Sequence, residues 1–109
     1  MPHIVIEHSK DLPILPQVLV EKVHQAVFDS GLFELSTIKT RAIAYQHYEL
    51  GEGKDGFIHI GASIMAGRTI EQKQILREQL LSCLRTYCRR SYSLSVNIYD
   101  MDADIYRKC

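Results

Sequence analysis

The sequence predicts an α+β fold in which a β-α-β unit is duplicated, giving a four-stranded mixed sheet with two helices on one face. Segments with strand and helix character follow one another in the order strand, helix, strand, and this order occurs twice. Corresponding segments begin 54 residues apart: strands near His3 and Phe57, helices near Pro16 and Ile70, second strands near Thr40 and Leu94. A helical crossover makes the two strands of a unit parallel and is right-handed, so both helices should cover the same face.

The length of 109 residues fits one domain, with pseudo-repeats at about 2–50 and 56–100 and a polar tail at 101–109. In the first half, Ile4 and Ile6 show the period-two alternation of a strand. Apolar residues then recur at helical spacing and predict a helix over about 14–30. Pro16 suits its first turn, and Gly31 follows its last.

The segment TIKTRAIAYQHYEL, residues 37–50, is rich in β-branched and aromatic residues and predicts the second strand. Arg41, Ile43 and Tyr45 should share one of its faces. The turn residues GEGKDG follow and predict a loop. FIHIGASIM, residues 57–65, alternates again and predicts the third strand.

The second helix is predicted from its cap and its apolar stripe. Thr69 and Gln72 match a capping box, in which the side chain of each residue bonds the backbone N–H of the other. The stripe consists of Leu76, Leu80, Leu84 and Tyr87. LSVNIY, residues 94–99, predicts the fourth strand, and the tail that follows either extends, pairs with a neighbouring chain or frays.

One face of such a sheet has no helix to cover it. Phe57, Met65, Ile43 and Tyr45 should lie on that face, because they alternate with the residues that face the helices. Burying these apolar side chains requires a partner, which predicts an oligomer.

Composition excludes several classes of partner. Thirteen Lys and Arg residues balance 13 Asp and Glu residues, so the chain has no overall attraction for nucleic acid or an anionic membrane. No apolar run approaches the ~20 residues that span a bilayer, and no signal peptide is visible. Cys83, Cys88 and Cys109 predict reduced thiols in a cytoplasmic protein. The five histidines show no metal-ligand spacing, so we expect no metal.

Pro2 is the first candidate for chemistry. Removal of Met1 would leave it as a free secondary amine directly before a strand. An α-amino group titrates at about 7.7–8.0, and desolvation or nearby cations lower this value toward that of a good general base. The alternative is that a proline after the initiator Met1 has no chemical role.

Two arginines are candidates for binding an anion. Arg41 shares a strand face with Ile43 and Tyr45, and its alternative role is that of a solvated edge residue or ion-pair member. Arg68 lies between a strand and a helix, after Gly67, where backbone N–H groups and a guanidinium could together hold a carboxylate. The basic segment RTYCRRSY is better explained as a solvated helix end than as a nucleic-acid site.

These features together resemble the tautomerase superfamily, and most closely the 5-carboxymethyl-2-hydroxymuconate isomerases. PHIVIE matches the family's Met-Pro-His start and the apolar strand that ends in Glu. KTR matches a basic segment on the second strand, with Lys39 where the family usually has another arginine, and GRT matches the turn that opens the second helix. The resemblance runs from Pro2 to about residue 90, and YDMDA resembles the macrophage migration inhibitory factor branch.

The resemblance implies a cofactor-independent homotrimer that moves a proton in an enol or unsaturated keto di- or tricarboxylate. It implies that Pro2 is the base and that Arg41 and Arg68 hold the carboxylates of this small-molecule substrate. His3, Tyr45 and Tyr99 are candidates for the pocket; for His3 the alternative is a hydrogen bond within the sheet, and for the tyrosines a place in the core. The alternative functions are a tautomerase acting on another enol carboxylate and a non-enzymatic trimeric binding or regulatory protein.

Overall fold

The computed structural model describes residues 1–109, except for the side chain of Glu52. Four strands and two α-helices follow in the order β1 (His3–Ser9), α1 (Pro16–Asp29), β2 (Lys39–Tyr45), β3 (Gly56–Met65), α2 (Ile70–Tyr87) and β4 (Tyr92–Met101). Single turns of 3₁₀-helix at Leu35–Thr37 and Gly51–Gly53 precede β2 and β3.

The strands form one mixed sheet in the order β2-β1-β3-β4, which confirms the predicted fold class. Each outer strand is parallel to its inner neighbour, and the two inner strands, β1 and β3, are antiparallel. His3 is in register with Lys39, and Phe57 with Ser93, so the same offset of 54 residues relates both members of the two pairs.

The core lies between the two helices and one face of the sheet. It consists of buried apolar side chains from β1, β3 and both helices, among them Ile4, Ile6, Leu19, Val23, Val27, Ile58, Ile60, Ile64, Leu76, Leu80 and Leu84. All the strand members come from even-numbered positions, as the pleat of a strand requires. Each fully buried Leu or Ile contributes about 1.5–3 kcal/mol relative to an exposed one, so this face holds the helices on the sheet.

The predicted helix signals act at the predicted positions. Pro16 lies in the first turn of α1, and Gly31, with φ of 76°, follows its end and donates its N–H to the Phe28 carbonyl. Thr69 and Gln72 form the capping box of α2: Gln72 N donates to Thr69 Oγ1 at 3.1 Å, and Thr69 N donates to Gln72 Oε1 at 2.9 Å.

Two strand boundaries differ from the prediction. β2 ends at Tyr45 rather than near residue 50, because it is an edge strand whose only partner, β1, ends at Ser9 opposite Tyr45. β4 is longer than residues 94–99, because β3 offers a partner for every residue from Tyr92 to Met101. The residues that a strand can pair with therefore set its length.

The other face of the sheet has no helix over it. Ile43 is 51% exposed and Tyr99 is 46% exposed, and both side chains lie on this face. We call it the open face. Within one chain it remains uncovered, as the sequence predicted.

Candidate active site

Strand directions bring most of the candidate residues to one end of the sheet. β1 and β2 begin at this end, and β3 and β4 finish there. We call it the Pro2 end, because Pro2 directly precedes β1. α1 ends here and α2 begins here, so the turns that carry Phe33 and Arg68 flank the same place.

Pro2 is buried and held by the backbone. Its carbonyl accepts a hydrogen bond of 3.1 Å from Lys39 N–H, which joins the residue to the start of β2. Met1 precedes it and is half-buried. In the chain with Met1 the proline nitrogen is in a peptide bond, and the free amine belongs to Met1.

The amino terminus lies in a positively charged environment. Burial lowers the pKa of the Met1 amine below its ordinary value of 8.0, and the charges of Arg68, Lys39 and Lys108 lower the pKa further. Both effects disfavour the charged ammonium form. An amine at this position is therefore neutral over a wider range of pH than a solvated amino terminus.

Arg68 is fixed by two contacts with the turn after α1. One of its Nη atoms donates to the Leu32 carbonyl at 2.9 Å, and the guanidinium carbon lies 4.4 Å from the centre of the Phe33 ring. A cation over an aromatic face is stabilised by about 0.5–1 kcal/mol at an exposed site. These contacts use one of five guanidinium N–H donors, so most remain available to an anion.

Arg41 lies on the open face of β2, in register with Val5. Its Nη1 is 3.2 Å from Nδ1 of His3, and Nε2 of His3 is 3.0 Å from the Tyr106 hydroxyl. The His3 and Tyr106 rings also meet edge to face, with centroids 5.8 Å apart. His3 thus links the predicted arginine to the C-terminal tail.

The two candidate tyrosines lie at different ends of the sheet. Tyr99 is at the Pro2 end, in register with Ser63, which is itself in register with His3. Two strand spacings, about 10 Å, therefore separate the backbones of Tyr99 and His3. Tyr45 closes β2 at the far end, six residues beyond Lys39 or about 20 Å along the strand.

Tyr45 has its own partners at the far end. Its hydroxyl donates to Glu7 at 2.7 Å, and its ring stacks on Phe57 with centroids 6.1 Å apart. The hydrogen bond to Glu7 raises the pKa of the Tyr45 phenol. Within one chain the structure groups Pro2, His3, Arg41 and Arg68 with Tyr99 at one end, but it does not bring Tyr45 to them.

The sequence reasoning missed the contribution of the tail. Tyr106 contacts His3, and Lys108 Nζ lies 4.0 Å from the Met1 sulfur, so the tail returns to the start of the chain. A turn signal was present at Asp102, whose carboxylate accepts from Asp104 N–H at 2.8 Å. Phe33 was also missed, because nothing local marks an aromatic residue as the support of a distant arginine.

A cavity of about 640 Å³ lies at the far end. Its lining includes the basic residues Lys54, Arg85, Arg89 and Arg90, and it contains none of the residues at the Pro2 end.

Among the described side chains, no group of three or more His, Cys, Asp or Glu residues could hold a metal ion. No helix in the described residues is both long enough and apolar enough to cross a membrane.

Known proteins of similar structure share this architecture. A 5-carboxymethyl-2-hydroxymuconate isomerase from Deinococcus radiodurans R1 matches with a TM-score of 0.84 and 24% identity, covering 99% of this chain and 88% of that one. A wild-type fused 4-OT that forms a symmetric trimer matches with a TM-score of 0.76 and 17% identity, covering 92% and 85% of the two chains. At these identities the likeness establishes the fold.

Sequence comparison identifies the family. The curated 5-carboxymethyl-2-hydroxymuconate Delta-isomerase of Escherichia coli is 28% identical over 92 residues, which cover 80% of this chain and 72% of that protein. The family model for 5-carboxymethyl-2-hydroxymuconate isomerase matches residues 2–108, nearly the whole chain. The chain therefore belongs to the 5-carboxymethyl-2-hydroxymuconate isomerase family and is an isomerase.

Proposed function

We propose that this isomerase moves a proton, without a cofactor, within an enol or unsaturated keto di- or tricarboxylate such as 5-carboxymethyl-2-hydroxymuconate. The observation that carries the proposal is the amino terminus at the Pro2 end, where burial and three cations lower the pKa of the amine. Removal of Met1 would make the Pro2 nitrogen the free amine, one residue along the chain from the Met1 amine. A neutral secondary amine near pH 7 is a suitable general base.

The proposed reaction needs only this base and the two arginines. Neutral Pro2 takes a proton from the 2-hydroxyl or from an allylic carbon and returns a proton to a conjugated carbon of the same substrate. Negative charge develops on the dienolate oxygen during the transfer. Arg41 and Arg68 hold the carboxylates and stabilise that charge, because a guanidinium can donate two parallel hydrogen bonds to a carboxylate.

The proposed assembly is a homotrimer. The open face carries exposed apolar side chains, including Ile43 and Tyr99, that a neighbouring subunit would cover. Fused 4-OT proteins of the same fold are described as trimers. The free cysteines Cys83, Cys88 and Cys109 support the expectation of a cytoplasmic protein.

The decisive experiment compares forms of the chain that differ at the amino terminus. Ketonisation of a 2-hydroxymuconate dienol is followed by its ultraviolet absorbance, with Met1 removal verified by intact-mass spectrometry. We expect activity from the chain that begins at Pro2 and a loss of about 10²-fold or more from the chain that retains Met1. Pro2→Ala, which offers a primary amine instead, should also be slower. Equal rates for all three forms would contradict the base assignment.

The pH profile gives a second measure of the same base. The neutral amine is the active form, so kcat/KM should fall as pH decreases through the pKa of the amine. Because burial and the neighbouring cations lower the pKa of the Met1 amine, we expect the same influences on Pro2 to centre the fall below the ordinary value of a solvated amino terminus, about 7.7–8.0. A midpoint at or above that range would contradict the proposed environment. Absence of activity in every form of the terminus would instead favour a binding protein.

A further inference from the structure

We infer that Tyr106 and His3 position Arg41 for substrate, with His3 held as the neutral imidazole that carries its proton on Nε2. The inference rests on the carboxylate-binding role proposed above for Arg41. It assigns a function to the C-terminal tail and to the histidine after Pro2, neither of which touches the reacting atoms in the mechanism. Both are positioning residues, acting through Arg41.

The hydrogen bonds determine the protonation of His3. A guanidinium has donors only, so Nδ1 of His3, 3.2 Å from Arg41 Nη1, must be the acceptor. In a neutral imidazole the other nitrogen then carries the proton. Nε2–H donates to the Tyr106 hydroxyl oxygen at 3.0 Å. Arg41 therefore selects the tautomer, and the Tyr106 hydroxyl stabilises it by accepting the Nε2–H bond.

A compact turn places Tyr106 beside His3. The Asp102 carbonyl accepts the backbone N–H groups of Ile105 at 3.0 Å and Tyr106 at 2.9 Å, directly after β4 ends at Met101. This reverses the chain at the Pro2 end. The phenol then packs edge to face on the His3 ring, which restricts the ring in orientation as well as in protonation.

The charges around His3 oppose its protonation. Arg41 and Lys39 face it from β2, the amino terminus from its own strand and Tyr106 from the tail, while its register neighbour on β3 is the non-titrating Ser63. Burial lowers the pKa of His3 below 6.5, followed by the effects of Arg41, Lys39 and the amino terminus. In acid, a proton on Nδ1 would remove the acceptor of Arg41 and place a second cation beside it. KM for a carboxylate substrate should therefore rise below the pKa of His3.

The first test reads the tautomer without any substrate. Long-range ¹H–¹⁵N correlation spectra of the histidine rings are recorded on the full chain above pH 7, and His3→Gln assigns the His3 signals. We expect the Nε2–H form in the wild type and a larger share of the Nδ1–H form in Tyr106→Phe. We also expect Arg41→Ala to raise the pKa of His3. A wild-type His3 that carries its proton on Nδ1 would overturn the inference.

The second test separates positioning from general structural damage. Tyr106→Phe should raise KM about threefold to tenfold, the effect of one neutral hydrogen bond, with kcat nearly unchanged. His3→Gln retains one acceptor and one donor but does not titrate, so it should keep KM near that of the wild type and remove the rise of KM in acid. Tyr48→Phe, on the loop after β2, is the matched control and should leave KM unchanged.

Arg41→Ala distinguishes the two proposals. If it raises KM while Tyr106→Phe does not, the positioning inference is wrong and the proposed function stands. If Arg41→Ala leaves KM unchanged, the carboxylate role of Arg41 is wrong, and the positioning inference falls with it whatever the tautomer of His3. A rise of KM in acid that persists in His3→Gln would also overturn the inference, because another group would then be titrating.

Discussion

We expect Arg68 to have two effects at the Pro2 end, and substituting it should change two different measured quantities. Its charge lowers the pKa of the terminal amine, and in the proposed function its remaining N–H donors bind a substrate carboxylate. The first effect depends on charge and acts on the base. The second depends on hydrogen-bond geometry and acts on the substrate.

Arg68→Ala should therefore change both the rate and the pH profile. Losing a charge-assisted contact worth about 1.5–3 kcal/mol should reduce kcat/KM for a carboxylate substrate roughly 10- to 150-fold. Removing a nearby cation favours the protonated amine, so the acidic fall of kcat/KM should move to higher pH. Steady-state assays across pH measure both effects.

Arg77→Ala is the matched control for Arg68→Ala. Arg77 lies on α2 with 43% of its side chain exposed, and it pairs with its neighbour Glu78 at 2.8 Å. Arg77→Ala should leave kcat/KM and the midpoint of its pH profile unchanged. A lower kcat/KM in Arg68→Ala with no movement of the midpoint would contradict the electrostatic role of Arg68 and retain its binding role.

Gly56, the first residue of β3, lies where three strands meet closely. A Cβ atom built there would be 2.5 Å from Ser9 Oγ and 2.6 Å from Cε2 of Tyr92. Ser9 Oγ also accepts the N–H of Phe57 at 3.1 Å. The position therefore admits no side chain unless Ser9 and Tyr92 move.

Gly56→Ala should destabilise the fold by about 1–3 kcal/mol, the usual cost of overpacking a well-filled site. Urea unfolding followed by circular dichroism measures the change in the free energy of unfolding. Gly51→Ala is the control, because a Cβ atom there meets nothing within 4 Å. Equal free energies of unfolding for the two variants would show that Ser9 and Tyr92 can move without destabilising the fold.

The sequence predicted the elements well because their signals are local. The capping box at Thr69, the proline in the first turn of α1 and the alternation in β3 each act within a few residues. The ends of β2 and β4 were predicted less well, because they depend on which residues their partner strands offer. Tertiary pairing overrides propensity at such positions.

The same distinction applies to the candidate site. Pro2, Arg41 and Arg68 could be proposed from local motifs, and the strand directions place all three toward one end of the sheet. Tyr106 could not, because its contact with His3 spans 103 positions in the sequence. Within one chain β2 carries the candidate pocket residue Tyr45 to the far end, because a shared strand face says nothing about position along the strand.

The open face should decide the assembly of the whole molecule. Ile43 lies on it with 51% of its surface exposed, and a buried carboxylate there would have no partner. We expect the wild type to sediment as a trimer, with three times the chain mass of 12.5 kDa. Ile43→Asp should shift it to monomers, as measured by analytical ultracentrifugation.

Ile75→Asp is the control for assembly. Ile75 is 52% exposed, nearly the same as Ile43, but it lies on the outer surface of α2. Its substitution should leave the trimer intact. A trimer that persists in Ile43→Asp, or that dissociates equally in both variants, would contradict an interface built on the open face.

The two halves of the chain, related by the offset of 54 residues, differ in whether the residue before the first strand can be a free amine. By that offset Gly56 occupies in the second half the place of Pro2 in the first, since each directly precedes the matched positions His3 and Phe57. The nitrogen of Gly56 is bonded to Asp55 and can never be a free amine. In the proposed mechanism a duplicated chain therefore supplies one base for two equivalent strand starts, and the proposed trimer has three bases. The second strand start has no catalytic role in that mechanism, and its glycine permits close packing with Ser9 and Tyr92.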